Sequence, residues 1–344
     1  MTRHSIPPAR DPVETGHRGG AAQLACMGVI AALLGGCNSL QSALHPAADD
    51  AARLLSLTSL MTWGGAAIFA FTMALLGLAI WVRPHWLRRR ATVVALGIVF
   101  PTTVLTVLLA YGLVILRATN APAAGEALVI EVTGEQFWWR VRYPAEGERP
   151  AFATANEIQV PVGRPVRLVL EAADVIHSVW IPSFAGKMDM IPGRRTLLQF
   201  TPERPGTYRG ICAEFCGEQH ARMLFDVVAL PPAEFDRWRE AQARPGIEPG
   251  SEFLRRGKAL FAASGCGSCH AVRGSAFTGE LGPDLTHIGS RRSIGAGLFP
   301  NNVGTLGGWI ADAQGLKPGA RMPSYGSLSG EDLRALAGYL EQLK

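Results

Sequence analysis

The sequence predicts a multidomain membrane protein: a two-helix transmembrane hairpin, then an all-β sandwich, then a small all-α module. Three observations carry that prediction. Uncharged apolar runs cover 57–82 and 91–116, short alternating runs broken by Gly and Pro fill about 127–230, and helical periodicity returns after 250. With 344 residues, 48% of them apolar, the chain is too long for one core. A net charge of +5 with no basic block interleaved with aromatics gives no sign of nucleic-acid binding. The six cysteines fall into three pairs with separate chemistries, none requiring a structural disulfide.

The polar N-terminus carries Arg18, and an apolar run from Ala21 to Leu34 ends in Gly35, Gly36 and Cys37. A basic region, a short apolar stretch and small residues describe a secretory signal over 1–36. Cysteine directly after that small pair resembles the lipobox of bacterial lipoproteins, which would make Cys37 the lipidated first residue of the mature chain. Cys26 shows that stray cysteines also occur here, so an ordinary signal peptide stays open. Residues 37–52 then form a short outer segment.

Within 53–118, Leu57 to Val82 and Ala91 to Leu116 are each long enough to span a bilayer core at about 1.5 Å per residue. The loop joining them holds Arg83, Arg88, Arg89 and Arg90, against Arg53 and Arg117 outside. The positive-inside rule makes that loop cytoplasmic and both termini external. Pro101 would kink the second helix unless neighbours compensate.

In 119–231, strands are expected at Leu128 to Val132, Trp139 to Tyr143, Val166 to Leu170, Thr196 to Phe200, about Thr207 to Ile211, and Leu224 to Val228. Such spacing describes a sandwich or barrel. Between the last two strands lies a loop with Cys212, Glu214, Cys216, His220 and Met223. Thiolate and thioether select copper in its lower state and imidazole suits either state, so the set fits electron transfer. A single copper of the blue type would use one cysteine; two bridging thiolates imply two coppers. His177, on the apolar segment Asp174 to Pro182, offers a second imidazole. A disulfide would leave His177, His220 and Met223 without a reason, and zinc seldom recruits methionine.

Together the His177 segment, the Cys-x-Glu-x-Cys-x-x-x-His-x-x-Met loop and the stretch Gly186 to Arg194 resemble the binuclear CuA centre of cytochrome c oxidase subunit II. The resemblance covers most of 53–231 and implies a cupredoxin fold. It implies His177, Cys212, Cys216, His220 and Met223 as side-chain copper ligands and Glu214 as a ligand through its carbonyl. It also implies that the Glu214 carboxylate helps hold magnesium at the border with subunit I. The stretch Gly134 to Trp139 resembles the aromatic face where electrons enter, with Phe137 and Trp138 there. Many relatives have tryptophan at the position of Phe137, which puts docking of an external cytochrome c in doubt, and a plain core-edge role stays open. The nearly even charge of this domain also argues against strong capture of a basic partner.

After a polar, Pro-containing linker, 232–250, the segment 251–344 contains Cys266, Cys269 and His270 in a Cys-x-x-Cys-His motif. That motif attaches c-type haem through both thiols and supplies the proximal histidine. Helices are expected at Phe253 to Ala263 and after Ser329, whose capping-box pattern precedes Leu333, Leu336, Ala337 and Leu340 at helical spacing. Met322 before Pro323 is the expected distal iron ligand, with His287 its competitor. The module resembles class I cytochromes c, which favours Met322.

The whole chain resembles subunit II of the caa-type haem-copper oxidases. That implies electrons passing from haem to the copper pair and on to haem a in subunit I, where oxygen reduction and proton pumping reside. It further implies subunit III, an external donor such as a cytochrome bc complex or soluble cytochrome c, and a bacterial inner membrane with both domains on its outer face. Fusion would replace encounter by a tether's effective concentration. A CuA-bearing subunit of a nitric oxide reductase stays open. The copper ligand set speaks against a quinol oxidase subunit, and two membrane helices speak against a free carrier.

Overall fold

The computed structural model describes residues 39–344 except 120 and 122–124. The signal over 1–36 and Cys37 lie outside the described residues. Among the described residues, two helices are long and apolar enough to cross a membrane: α1 (Asp49–Trp81), 33 residues, and α2 (Arg90–Thr119), 30 residues. Trp63, Phe69, Leu105 and Val107 are 63–76% exposed, and such helix surfaces ask for apolar surroundings. Pro101 has no N–H to donate, and just before it the ladder widens to a π-turn over Ala95–Val99, with Phe100 N–H bonded to Ala95 O. Helix α1 starts earlier than the hydropathy suggested. Asp49 and Asp50 favour its positive end, and the preceding segment is tied to the β-domain by Ala47 N–H to Ser183 O (2.7 Å) and Thr201 N–H to Asp49 Oδ1 (2.9 Å). Residues 47–52 thus root the first membrane helix rather than forming a separate outer segment.

The β-domain comprises β1 (Leu128–Glu135), β2 (Trp138–Tyr143), β3 (Phe152–Ala155), β4 (Glu157–Pro161), β5 (Val166–Ala172), β6 (His177–Trp180), β7 (Met188–Met190), β8 (Thr196–Phe200), β9 (Gly206–Cys212) and β10 (Leu224–Leu230). One sheet runs β3-β2-β1-β5-β8 and the other β4-β10-β9-β6-β7. Alternation along β1 and β5 turns Leu128, Ile130, Val132, Val166, Leu168 and Leu170 into the shared core, beside Trp139, Phe184 and Phe225. The expected all-β sandwich is therefore present, with β3, β4, β6 and β7 added to the predicted strands. These four are short, three to five residues, below what a period-two pattern reveals.

The linker expected at 232–250 is a correction: its first part is a helix, α3 (Pro232–Ala243), packed on the sandwich. Phe235 is buried, Trp238 packs edge-on against Tyr143 and Phe152, and Arg239 pairs with Glu146. Polar composition concealed it, but Pro232 at the first turn and the Phe235, Trp238, Arg239, Gln242 stripe are helix signals. Irregular backbone follows from 245 to 250.

The C-terminal module packs α4 (Glu252–Ala263) across α6 (Gly330–Gln342), with α5 (Val303–Ala311) also on α6. Gly257 lets the crossing close, since a Cβ there would meet Ala335 O at 2.1 Å. The capping expected at Ser329 is present: its hydroxyl accepts from Asp332 N at 3.1 Å. A two-stranded hairpin, β11 (Ser293–Ile294) and β12 (Phe299–Pro300), was not foreseen. It seats the module on the sandwich, where Arg292 N–H donates to Glu157 Oε2 (2.9 Å) and Ser293 Oγ to Asp226 Oδ2 (2.6 Å). The module is thus held by a surface as well as by the chain that tethers it.

Candidate metal centre

The metal loop leaves β9 at Cys212 and returns to β10 after Met223. Antiparallel pairing sets Val179 of β6 opposite Cys212, so His177, two residues along the same face, reaches the loop. Cys212 Sγ lies 3.9 Å from His177 Nδ1, 3.2 Å from Glu214 O and 3.8 Å from Cys216 Sγ. Cys216 Sγ in turn lies 3.9 Å from His220 Nδ1 and 3.8 Å from Met223 Sδ. All six expected donors therefore gather around the two sulfurs. A disulfide needs about 2.05 Å; at 3.8 Å the sulfurs are free and spaced to share metal ions.

Donor chemistry fits copper. His177, Cys212, Cys216 and Met223 are all buried, while Phe215 at the loop tip is 76% exposed. The two thiols are coupled through one bond: it holds the Cys212 thiol well below its ordinary value, with His177 adding to the lowering, and pushes the Cys216 thiol up. Burial would lower His177, but its bonds to Cys212 and Asp174 outweigh this and leave it raised. Asp174 Oδ1 is 2.9 Å from His177 Nε2, which fixes the ring and presents Nδ1 to the sulfur. Gly134 is required behind the ring, as a Cβ there would meet His177 Cδ2 at 2.8 Å. Gln136 Nε2 donates to Cys216 O at 2.7 Å. Neither Asp174 nor Gln136 was singled out from sequence, although Asp174 stands only three residues before His177. The Glu214 carboxylate pairs with Lys187 at 3.2 Å.

In the helical module Cys266 opens a short turn that brings His270 N–H to Cys266 O at 3.0 Å. Both thiols are free and half-buried, and burial raises Cys266. His270 Nδ1 donates to Pro283 O at 2.8 Å, leaving Nε2 for iron, and burial lowers this imidazole toward its neutral, ligating form. Gly282 lets the chain pass the ring, since a Cβ there would fall 2.5 Å from His270 Cε1. Among the described residues the only close group of three or more His, Cys, Asp or Glu donors is His177, Cys212 and Cys216, so these thiols and His270 do not converge on one ion as zinc would require. Met322 packs half-buried against the helical core. His287 is buried with Nε2 bonded to Arg244 O at 3.0 Å, on the chain leaving α3.

Cytochrome c oxidase subunit 2 of Bacillus sp. (strain PS3) is 33% identical over 265 residues, 74% of this chain and 73% of that one. This chain belongs to the cytochrome c oxidase subunit 2 family. The subunit 2 of Alkalihalophilus pseudofirmus is 40% identical over 65% of this chain and 64% of its own length, so the match spans a little under two thirds of that relative. Residues 144–230 match the family model described as cytochrome c oxidase subunit II, periplasmic domain, and 254–344 match the one described as cytochrome c. A crystal structure of the periplasmic domain of subunit II of cytochrome oxidase of Bradyrhizobium japonicum is 33% identical and covers 35% of this chain and 96% of its own, with a TM-score of 0.32.

A cytochrome c domain implies haem and a subunit 2 domain implies copper. In this chain the aromatic face expected to receive electrons is occupied. Phe137 is 8% exposed, Lys317 of the helical module bonds its carbonyl at 2.8 Å, and Gly319 lies against its ring. Trp138 is half-buried under the Arg140 guanidinium, which donates onward to Glu280 O at 2.9 Å.

Proposed function

We propose that this chain is the electron-receiving subunit of a terminal cytochrome c oxidase, carrying one covalent c-type haem and two coppers and delivering single electrons to subunit I. Oxygen reduction and proton pumping belong to that partner. The observation that carries the reading is the gathering of six copper-type donors around Cys212 and Cys216, with the Cys266–His270 module seated on the adjacent face. The names of the relatives support oxygen as terminal acceptor.

When bound, the copper pair and the haem supply one-electron uptake and release. The protein's task is to hold their ligands still. Cys212, Cys216, Met223, the Glu214 carbonyl and the Nδ1 atoms of His177 and His220 would hold the copper. Asp174 locks one imidazole, and Trp139 and Phe225 wall off water behind it. For the haem, Cys266 and Cys269 would make the covalent links, and His270 and Met322 would hold the iron. His287 is held by Arg244 O at the junction with α3, which supports Met322.

Phe137 and Trp138 lie beneath the chain's own cytochrome module, so an external donor such as a cytochrome bc complex or soluble cytochrome c would meet the haem module first. The assembly would sit in a bacterial inner membrane, both folded domains outside, beside subunits I and III. The Glu214 carboxylate would help hold magnesium at the subunit I border, and Cys37 would carry the lipid. Replacing Cys216→Ser tests the reading: the shared-spin copper signal should vanish while haem attachment persists. Survival of that signal would overturn the two-thiolate assignment.

A further inference from the structure

Lys317 is a buried lysine, 3% exposed, in the loop between the one-turn helix Ala313–Leu316 and Met322. Its ammonium donates to Phe137 O at 2.8 Å, Gly295 O at 2.9 Å and Arg222 O at 3.0 Å. Those three bonds use all three donors of the group, and each acceptor is a backbone carbonyl. Two belong to the sandwich and one to the hairpin turn of the helical module. Holding a cation here is costly: burial, then the nearby Arg222 guanidinium, push Lys317 down to about 7.

The turn that Lys317 grips makes a second attachment. Gly295, Ala296 and Gly297 all have positive φ, from 63° to 81°, and for Ala296 that conformation carries strain. Two of the three carbonyls reach the copper domain: Ala296 O accepts from Leu224 N at 3.1 Å and Gly297 O from Arg209 Nη1 at 3.4 Å. Arg222 Nη1 reaches back to Leu316 O at 3.2 Å. Arg222 and Leu224 flank Met223, and both are gripped by the other domain. Met223 itself accepts from Cys212 N at 3.0 Å, which joins the gripped segment to a bridging cysteine.

We propose that the cytochrome module is a clamp on the copper loop, in which Lys317 and the Gly295–Gly297 turn hold both neighbours of Met223 and so place its thioether toward Cys216. Lys317 is then a positioning residue. The proposal rests on the reading of Met223 as a copper ligand. Coupling of this kind is reciprocal, so copper in the loop would also tighten the seat of the haem module.

The full chain within its detergent-solubilised complex tests it, with Lys317→Met, Gly297→Ala and a control, Lys258→Met, whose ammonium pairs with Glu248. A Cβ at Gly297 would meet Leu224 Cβ at 2.7 Å, so that variant opens the same grip without touching the lysine. Expected for both test variants, against the control, are exchange of the Leu224 amide faster by about tenfold, the worth of roughly one lost hydrogen bond, and a changed hyperfine pattern in the copper signal. Copper count and haem attachment should stay at wild type. Unchanged exchange in Gly297→Ala overturns the clamp even where Lys317→Met fails to fold. Faster exchange with an unaltered copper signal also overturns it, because the contact would then join domains without placing Met223. Should wild type lack a two-copper signal, the copper reading fails separately, and exchange at the Cys212 amide becomes the readout for the place of Met223.

Discussion

Two regions of this chain each offer two cysteines, a histidine and a methionine, and they are built in opposite ways. Cys212, Cys216, His220 and Met223 fall within twelve residues and meet at 3.8–3.9 Å, buried except for the half-buried His220 and braced by His177 and Asp174. Cys266, Cys269 and His270 sit on one turn, half-buried and with both thiols free, while Met322 arrives from a distant loop. Donors that share small ions must lie within about twice a metal-sulfur bond of each other. Donors that grip the rim and axis of a macrocycle must stand apart. Residue type is the same; spacing decides the group.

The largest test of that comparison is Cys266→Ala combined with Cys269→Ala. Covalent haem should be lost completely, as read by denaturing gel with haem stain, while copper per chain stays at the wild-type count. Loss of both groups together would break the assignment of each group to its own set of donors. A smaller effect is expected from Asp174→Asn, which keeps shape but weakens the hold on His177 Nε2. Copper retention against a chelator should fall about 10–100-fold with the haem spectrum unchanged. Equal loss from the haem side would show that Asp174 serves the fold instead.

The smallest effect concerns Glu146, which faces Arg164 and Arg239 and ties α3 to the sandwich. Burial acts to raise it, but the two guanidiniums outweigh this and hold it below its ordinary 4.5. An acid held low contributes stability that is complete above about pH 4.5 and is lost as pH falls through its depressed value. Wild type should therefore lose melting temperature in that acid window. Glu146→Gln should melt lower by about 2–4 °C at neutral pH and show a flatter acid limb. An identical acid limb in the two proteins would remove Glu146 as its source.

Helix α3 and the clamp show why some of this was hidden in the sequence. The stripe of Phe235 and Trp238 was readable in principle, yet so much charge surrounds it that composition pointed to a linker. Lys317 gave no signal, since a lone lysine between loops has no spacing to read. Strands β6 and β7 are too short for a pattern, although β6 carries His177.

What the sequence determined by itself is local. Membrane runs, the Cys-x-x-Cys-His motif, the Ser329 cap and the ligand loop are each set by residues within one or two dozen positions, where chain geometry leaves little freedom. Tertiary structure decided which distant groups meet. The β6–β9 register brings His177 to Cys212, and the β11–β12 hairpin brings Lys317 and Ala296 to both sides of Met223. Such meetings depend on the packing of whole sheets and domains, which no single stretch of residues encodes.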